Sequence, residues 1–446
     1  MSIEAIKSAV LVGLIALSLL LTFAIWNFQP EYDELEDNNE VAYNTKLDGI
    51  EETKRSLIEP SQIVFHRAGD HYSFMEKSEQ KDFFDGMMQW SLDHFNTVTD
   101  EEMPPEDTRM EVIFPTPLPA NIIKDLFNTE QQEEILGNAF NRIYLSYRDV
   151  DDQPTVRLYF LNTETGNGIS AQVLNTGVRA QVSDAFDTDS LAEYLIFEQE
   201  DMPSLYLPAE SLELERKAFY AQSIDIDPLI NVLFRDPSVV RSNFINGGET
   251  YTDDRREMKV YNSNYMEFIN PLTTDFVQMD ERELINQSMS FINNHEGWTA
   301  GEDYEFNLFE LSSTSNTVTY RLAYKGLPIY DNDNLSTISV TYRDQEPYEY
   351  IRPTIQLGAP LEEGRQTVTL RNGSQIREIL QESKEYSSKT IVDIGIGYTM
   401  EKDSPDNPYY ILSPEWFIKT NLGWEVVTTD DLTLDRGGQG FAMESN

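Results

Sequence analysis

The 446-residue chain contains 33 lysine and arginine residues against 78 aspartate and glutamate residues, a formal net charge of −45 at pH 7. So large an excess of negative charge excludes nucleic acid and other polyanions as ligands, because their phosphates would be repelled. The sequence contains no cysteine, which excludes disulfide bonds and thiol chemistry.

The first predicted element is the uncharged apolar stretch from Ser8 to Phe28. Its length matches the ~20 residues that a helix needs to cross the ~30 Å hydrocarbon core of a bilayer. Trp26 and Phe28 suit one membrane–water interface and Lys7 the other, and no small-residue cleavage site follows as in a secretory leader. We therefore predict a retained transmembrane helix over residues 8–28. The basic groups favour cytoplasmic residues 1–7 and an extracytoplasmic body.

The stretch from 29 to 55 is predicted to be a hydrated stalk, because residues 31–40 are strongly acidic. An N-terminal α+β domain is predicted over 56–197. It begins with a hairpin, SQIVFH and HYSFM, around Gly69 and Asp70. Apolar residues spaced three and four apart predict a helix over 79–95. A strand at MEVIFP follows, then three strands with alternating patterns at RIYLSYRD, TVRLYFLN and GISAQVLN, and a helix near Asp187–Tyr194 closes the domain.

Two further α+β domains are predicted, a central one over 198–276 and a C-terminal one over 277–446. In the central domain Asp227 is expected to cap a helix that begins at Pro228. Asp280, followed by Glu283, caps the helix that opens the last domain. Another helix is predicted at Gln375–Lys384. In both places a helix precedes a meander of strands, which predicts similar helix-plus-antiparallel-sheet topology in the last two domains.

Few side chains indicate chemistry. His66 and His71 face each other across the predicted hairpin and would form part of a metal site, although histidines at strand ends are more often plain polar surface. The segment DNDN, 331–334, fits the start of a calcium loop or an ordinary turn, but glycine and glutamate are missing from the later loop positions. We assign no catalytic residue, no cofactor and no metal from the sequence.

The predicted transmembrane helix carries a stripe of mostly small residues on one side. Helices in lipid associate by close packing at such residues, so the stripe is either a contact surface or chance composition in a simple anchor. Its members are Ala9, Gly13, Ala16, Leu20 and Ala24.

Four segments resemble sequences typical of the YycH family. They are IWNFQP (25–30), INVLFRDPSVVRS (230–242), YTDDRREMKVYNSNYMEFINP (251–271) and SPEWFIK (413–419). The resemblance implies a non-enzymatic, membrane-anchored regulator of the two-component system built on the sensor kinase WalK and the regulator WalR. It also implies three extracytoplasmic domains and a YycI-like partner. Helix contacts in the membrane would then modulate autokinase activity, by inhibition in Bacillus-type members, and so affect cell-wall metabolism in Gram-positive bacteria.

Two other interpretations stay open on the sequence alone. A surface module that binds glycans would need exposed rows of tyrosine and tryptophan in a groove. A cell-wall hydrolase would need a cleft with two facing carboxylates of perturbed pKa.

Overall fold

Among the described residues the helices are short, apart from two that exceed ten residues. The computed structural model describes residues 44–428 apart from 100–106, 131–134, 136, 138, 151–152, 187–189, 201, 246–247, 273–274, 363, 384 and 405–406. Helices in this part are α1 (Lys54–Leu57), α2 (Lys77–Met87), α3 (Ile123–Leu126), α4 (Val178–Phe186), α5 (Asp227–Leu233), α6 (Glu281–Asn294) and α7 (Gly373–Glu382). Single 3₁₀ turns form at Ala120–Ile122 and Pro237–Val239.

The first sheet of the described residues is antiparallel throughout. Its strands are β1 (Gln62–Arg67), β2 (Asp70–Phe74), β3 (Leu92–Val98), β4 (Thr108–Leu118), β5 (Phe140–Val150), β6 (Gln153–Leu161), β7 (Gly168–Val173), β8 (Leu191–Phe197) and β9 (Leu205–Pro208). Their order in the sheet is β3-β7-β6-β5-β4-β1-β2-β8-β9.

The second sheet begins with β10 (Glu213–Ser223), β11 (Arg241–Ile245), β12 (Gly248–Thr252), β13 (Glu257–Tyr261), β14 (Tyr265–Ile269), β15 (Tyr304–Ser312), β16 (Thr317–Tyr324) and β17 (Leu327–Tyr330). It continues with β18 (Thr337–Arg343), β19 (Glu346–Pro353), β20 (Ile355–Pro360), β21 (Gln366–Thr369), β22 (Asp393–Lys402), β23 (Tyr409–Thr420) and β24 (Gly423–Val426). The main path is β11-β12-β13-β14-β19-β18-β16-β17-β22-β23-β10-β20, with β15 beside β16, β21 beside β10 and β24 beside β23.

A parallel pair joins the two parts of the second sheet. β17 pairs with β22 in parallel, whereas the other strand pairings described in this sheet are antiparallel. Along β13, β14 and β18 every second residue is buried, which is the two-residue period of a sheet with one face on the core. These features confirm the predicted α+β class. The predicted transmembrane helix lies outside the described residues.

The β1–β2 hairpin forms where the sequence predicts it. Ala68 and Gly69 have φ angles of +56° and +95°. Two successive residues with positive φ match the right-handed twist of the strands that they connect. The register places His66 directly opposite His71.

The first sheet is rolled rather than flat. β5 and β9 are five strands apart in the sheet order, which would separate them by roughly 24 Å at ~4.8 Å per strand. Nevertheless Arg142 on β5 donates a hydrogen bond of 2.8 Å to the carbonyl of Ser204, the residue before β9. The sheet must therefore curl until β9 lies over β4 and β5.

One apolar core extends through both sheets. It includes Leu47 near the beginning of the described chain, Phe65 and Phe84 in the first sheet region, and Tyr320 and Tyr350 in the second. A smaller cluster lies between β9, α7 and the β22–β23 hairpin. The described residues between 44 and 428 accordingly belong to one compact unit.

One predicted helix start is confirmed and a second is displaced by two residues. The Asp280 carboxylate accepts hydrogen bonds from the backbone N–H groups of Arg282 and Glu283, as expected for the cap of α6. Asn372 caps α7 with a reciprocal bond to Gln375, so this helix begins two residues before the predicted start.

The helix predicted over 79–95 is wrong in its second half. α2 ends at Met87, and the chain from Leu92 onward forms β3. The backbone N–H of Leu92 donates to the carbonyl of Asn128 at 2.8 Å, and β3 pairs with β7. These long-range backbone bonds outweigh the helical spacing of the apolar residues, which carries no information about distant partners.

The helix predicted near Asp187–Tyr194 is also wrong. Helix α4 lies earlier in the chain, and residues from Leu191 to Phe197 form β8 between β2 and β9. The predicted cap at Asp227 is displaced by one residue, because Ile226 occupies the cap position without a side-chain bond and Asp227 is already helical.

Candidate functional site

The residues predicted to act in the membrane lie outside the described part of the chain. They are Lys7, Ala9, Gly13, Ala16, Leu20, Ala24, Trp26 and Phe28. Between residues 44 and 428, as far as the structure describes them, no helix is both long and apolar enough to cross a bilayer. The predicted contact stripe therefore stays a prediction.

A buried ion pair forms the centre of the rolled sheet. Glu111 on β4 is 2% exposed and Arg142 on the neighbouring β5 is 3% exposed, and their side chains are in direct contact. The second terminal nitrogen of the guanidinium, Nη2, donates to the backbone carbonyl of Ser204. Burying two charges costs free energy that only good pairing and further hydrogen bonds offset. The pair therefore depends on the surrounding strands to hold its geometry.

Tyr206 on β9 completes this centre. Its hydroxyl donates a hydrogen bond of 2.9 Å to Glu111 Oε2, while Arg142 occupies the other carboxylate oxygen. The backbone neighbours of Tyr206, Leu205 and Leu207, pack on the opposite face against the core that contains α7. One short strand thus joins the charged centre of the first sheet to the C-terminal part of the body.

Two histidines border the ion pair. The Nδ1 atoms of His66 and His71 are 2.8 Å apart, and His66 Nε2 lies 3.7 Å from Glu111 Oε2. Only one of the two Nδ1 atoms can donate the hydrogen bond between them. We assign a proton to His66 Nε2, which faces the Glu111 carboxylate, and let His71 Nδ1 donate to His66 Nδ1.

The electrostatics of the centre indicate a structural role. Burial is the largest single influence and disfavours ionised Glu111, but Arg142, His66 and Tyr206 together outweigh it and lower the pKa of the carboxyl. A carboxylate with a lowered pKa and both oxygens occupied is a poor proton acceptor near neutral pH. Burial, reinforced by His66, lowers the pKa of His71. The five side chains of this centre contact one another across β1, β2, β4, β5 and β9 and so connect these strands.

Sequence reasoning found His66 and His71 but missed Glu111, Arg142 and Tyr206. The available signal was a charged residue inside an apolar strand: Glu111 stands between buried Met110 and Val112, and a buried charge requires a partner. The partner's identity depends on the roll of the sheet.

The metal and calcium readings gain no support within the described ranges. No group of three or more histidine, aspartate and glutamate side chains there is arranged to hold a metal ion. The carboxylate of Asp331 accepts from the backbone N–H groups of Asp333, Leu335 and Ser336 at 2.7, 2.8 and 2.9 Å. The DNDN segment is therefore a turn closed by its own aspartate.

A hydrolase would need two carboxylates of perturbed pKa that face a cleft. In the described residues, two carboxylates with a raised pKa lie away from the cleft described below. Burial raises the pKa of Glu349, and the negative charge of Glu267 on the neighbouring strand β14 raises it further. Burial also raises the pKa of Asp393. A cleft of about 620 Å³ lies elsewhere, lined by Asp93 and Glu130 among others and by neither Glu349 nor Asp393. The perturbed carboxylates thus do not face that cleft.

Aromatic side chains mostly fill the core. The largest fully buried side chains include Trp298, Tyr320, Tyr342, Tyr350 and Tyr386. The strongly exposed large apolar side chains of the described residues include one tyrosine, Tyr220, and no tryptophan. A row of exposed rings for stacking on sugars is absent from this part of the chain.

Fold and site together define an α+β protein of two large, mainly antiparallel sheets with a buried charged centre. Models of the N-terminal and C-terminal domains of YycH protein match residues 4–190 and 202–434. The chain belongs to the YycH family.

Two relatives illustrate this membership. The "Two-component system WalR/WalK regulatory protein YycH" of Bacillus subtilis (strain 168) is 23% identical over 458 residues, with 97% of this chain and 98% of the relative covered. The crystal structure of YycH from Bacillus subtilis has the same fold, with a TM-score of 0.70 at 18% identity. That match covers 86% of this chain and 100% of the solved chain.

Proposed function

We propose that this protein is a non-enzymatic regulator of a WalK-type sensor histidine kinase, and that it lowers the autokinase activity together with a YycI-like membrane protein. The family match over nearly the whole chain supports the proposal, since a relative of matching length is named as a WalR/WalK regulatory protein. The occupied, lowered-pKa carboxylate at the charged centre agrees with a role in binding and not in catalysis.

The proposed contact lies in the membrane. The protein is held in the cell membrane by residues 8–28, with its N-terminus in the cytoplasm and its body outside. The stripe containing Gly13 and Ala16 packs against a helix of the kinase or of its partner. A packed helix changes receptor activity only if it binds one signalling state better than the other. A bias of ~1–3 kcal/mol is enough to change activity several-fold or more.

Bulky substitutions on the stripe test this contact. In the variant Gly13→Ile with Ala16→Ile, two added side chains prevent close helix approach, so co-purification of kinase from membranes should fall strongly. The matched control, Ser18→Ile with Thr22→Ile, places the same bulk on the opposite side and should leave the kinase bound. Both variants must reach the membrane in equal amount. Equal recovery of kinase with both would overturn the proposed contact surface.

A further inference from the structure

The first described residues, 44–52, form a strap that runs along the end of helix α6. Helix α6 ends at Asn294, and the chain that follows it, residues 295–298, presents backbone carbonyls to the strap. Backbone N–H groups of the strap donate to them in the pairs Leu47 to His295 (3.0 Å), Gly49 to Glu296 (3.1 Å) and Ile50 to Trp298 (3.3 Å). The strap thus pairs with the segment that follows α6 much as a neighbouring strand would.

Glycine is required at the centre of the strap. A Cβ atom at Gly49 would lie 2.3 Å from the carbonyl oxygen of Glu296 and 2.7 Å from that of Trp298. Both atoms belong to the backbone, so neither can rotate away as a flexible side chain would. Any larger residue at this position must lift the strap from the helix end.

Side chains hold both ends of the strap. The Asn293 amide accepts from the backbone of Glu52 at 2.9 Å and donates back to its carbonyl at 2.8 Å. Lys46 pairs with Glu296 at 2.9 Å. At the beginning of the strap, Asn231 Nδ2 donates to the carbonyl of Asn44 at 2.7 Å.

Helix α6 connects the strap to the rest of the body. At its other end Arg282 forms two hydrogen bonds with Asp125, at 3.0 and 3.1 Å, and Lys54 binds the same carboxylate at 2.7 Å. In its middle Ser288 bonds to the hydroxyl of Tyr320 on β16 at 2.8 Å. A displacement of α6 therefore changes contacts in both sheets and in the strap at once.

We propose that the strap is a releasable link through which the position of α6 controls the chain leading to the predicted membrane helix. The inference rests on the proposed function, because it requires a membrane segment that acts on the kinase. With the strap bound, the body restrains that chain. When α6 moves, the strap detaches and the restraint is lost, so the body regulates the action of the membrane segment.

The variant Gly49→Val tests the link in the full-length protein reconstituted in lipid nanodiscs. Hydrogen exchange at the amides of residues 47, 49 and 50 should accelerate by about tenfold or more, while exchange across β22 and β23 stays unchanged. Gly395→Val is the matched control, because no atom lies within 4 Å of the Cβ that it would add. The control should leave exchange in the strap unaltered.

Kinase output then separates the two proposals. If wild-type protein does not alter autophosphorylation of the co-reconstituted kinase, the proposed function fails. If wild type lowers the rate, and Gly49→Val with a released strap lowers it equally, the strap inference alone fails. The inference predicts that Gly49→Val changes the extent of regulation at least about twofold, while Gly395→Val matches wild type.

A milder variant covers the case in which Gly49→Val does not fold. Lys46→Glu places a carboxylate beside Glu296 on a partly exposed pair, 44% and 34% exposed, so the fold should be retained. It should loosen the strap and shift regulation in the same direction as Gly49→Val. Accelerated strap exchange with unchanged regulation in this variant would overturn the inference.

Discussion

At the level of single residues, the charged centre of the first sheet determines how the fold responds to mutation. Arg142→Met removes the cation and leaves Glu111 buried beside Tyr206 alone. We expect this variant to lose about 3–5 kcal/mol of unfolding free energy, because an unpaired buried charge remains. Urea titration of the purified protein measures the loss.

A double variant and a surface control make this prediction specific. Arg142→Met combined with Glu111→Leu should be more stable than Arg142→Met alone, since both charges are then removed from the interior. Lys259→Met breaks a half-exposed pair with Glu257 and should change stability by less than about 1 kcal/mol. If the single variant Arg142→Met is as stable as the wild type, the ion pair does not hold the rolled sheet.

Histidine protonation should make the body less stable in mild acid. Burial lowers the pKa of His295 to about 3, and burial followed by His66 lowers that of His71. Below the unfolded value near 6.5 the unfolded chain binds protons that the folded chain does not, so stability falls as pH falls. For His295 the loss continues towards pH 3, with a slope of up to about 1.4 kcal/mol per pH unit.

His295→Gln measures this effect directly. The variant is less stable at pH 7, because the hydrogen bond with Tyr350 is altered, but its stability should change less between pH 6.5 and 5 than that of wild type. Thermal unfolding across that range, before most carboxylates titrate, provides the comparison. Identical slopes in the two proteins would show that His295 is not held neutral in the fold.

Residue patterns predicted part of the charged centre. The hairpin signal around Gly69 placed His66 opposite His71, which the register confirms. Glu111 was missed, because it is buried together with Met110 and Val112 and no two-residue alternation marks it. The contact of Tyr206 with Glu111 was not predictable, because four strand steps separate β9 from β4 in the sheet order and only the roll of the whole sheet brings them together.

At the level of helices and strands, capping chemistry gave more reliable predictions than periodicity. Asp280 caps α6 through two backbone N–H groups. Asp280→Ala should therefore lower the unfolding free energy by about 1 kcal/mol, whereas Asp280→Asn should cost only a few tenths because asparagine also caps helices. Chemical denaturation of both variants provides the test, and equal stability of the alanine and asparagine variants would exclude a capping contribution.

Periodicity failed where long-range pairing decides the structure. The apolar spacing from 79 to 95 is helical, but β7 provides a strand partner for the residues after Leu92. Residues from Leu191 onward likewise form β8, which pairs with β2 on one side and β9 on the other. In both places a ladder of backbone bonds to distant strands outweighs local preference, and local sequence carries no record of those strands.

For the whole molecule, the sequence predicted the fold class and the family better than it predicted how the strands are arranged in the sheets. The α+β class and the family were predictable from patterning and from four characteristic segments, and both are confirmed. The continuous second sheet was not foreseen, because the parallel pairing of β17 with β22 joins strands about 65 residues apart. The boundaries proposed for three domains remain predictions.

The central claim is that residues in the membrane carry the regulation and that the body controls them. Autophosphorylation of the kinase in proteoliposomes tests it most directly, with full-length protein, a fragment of residues 1–40, and that fragment carrying Gly13→Ile and Ala16→Ile at equal density. We predict that full-length protein lowers the rate, that the fragment retains part of this effect, and that the substituted fragment has none. A full-length effect that the fragment lacks entirely would contradict the account and place the regulation outside the membrane.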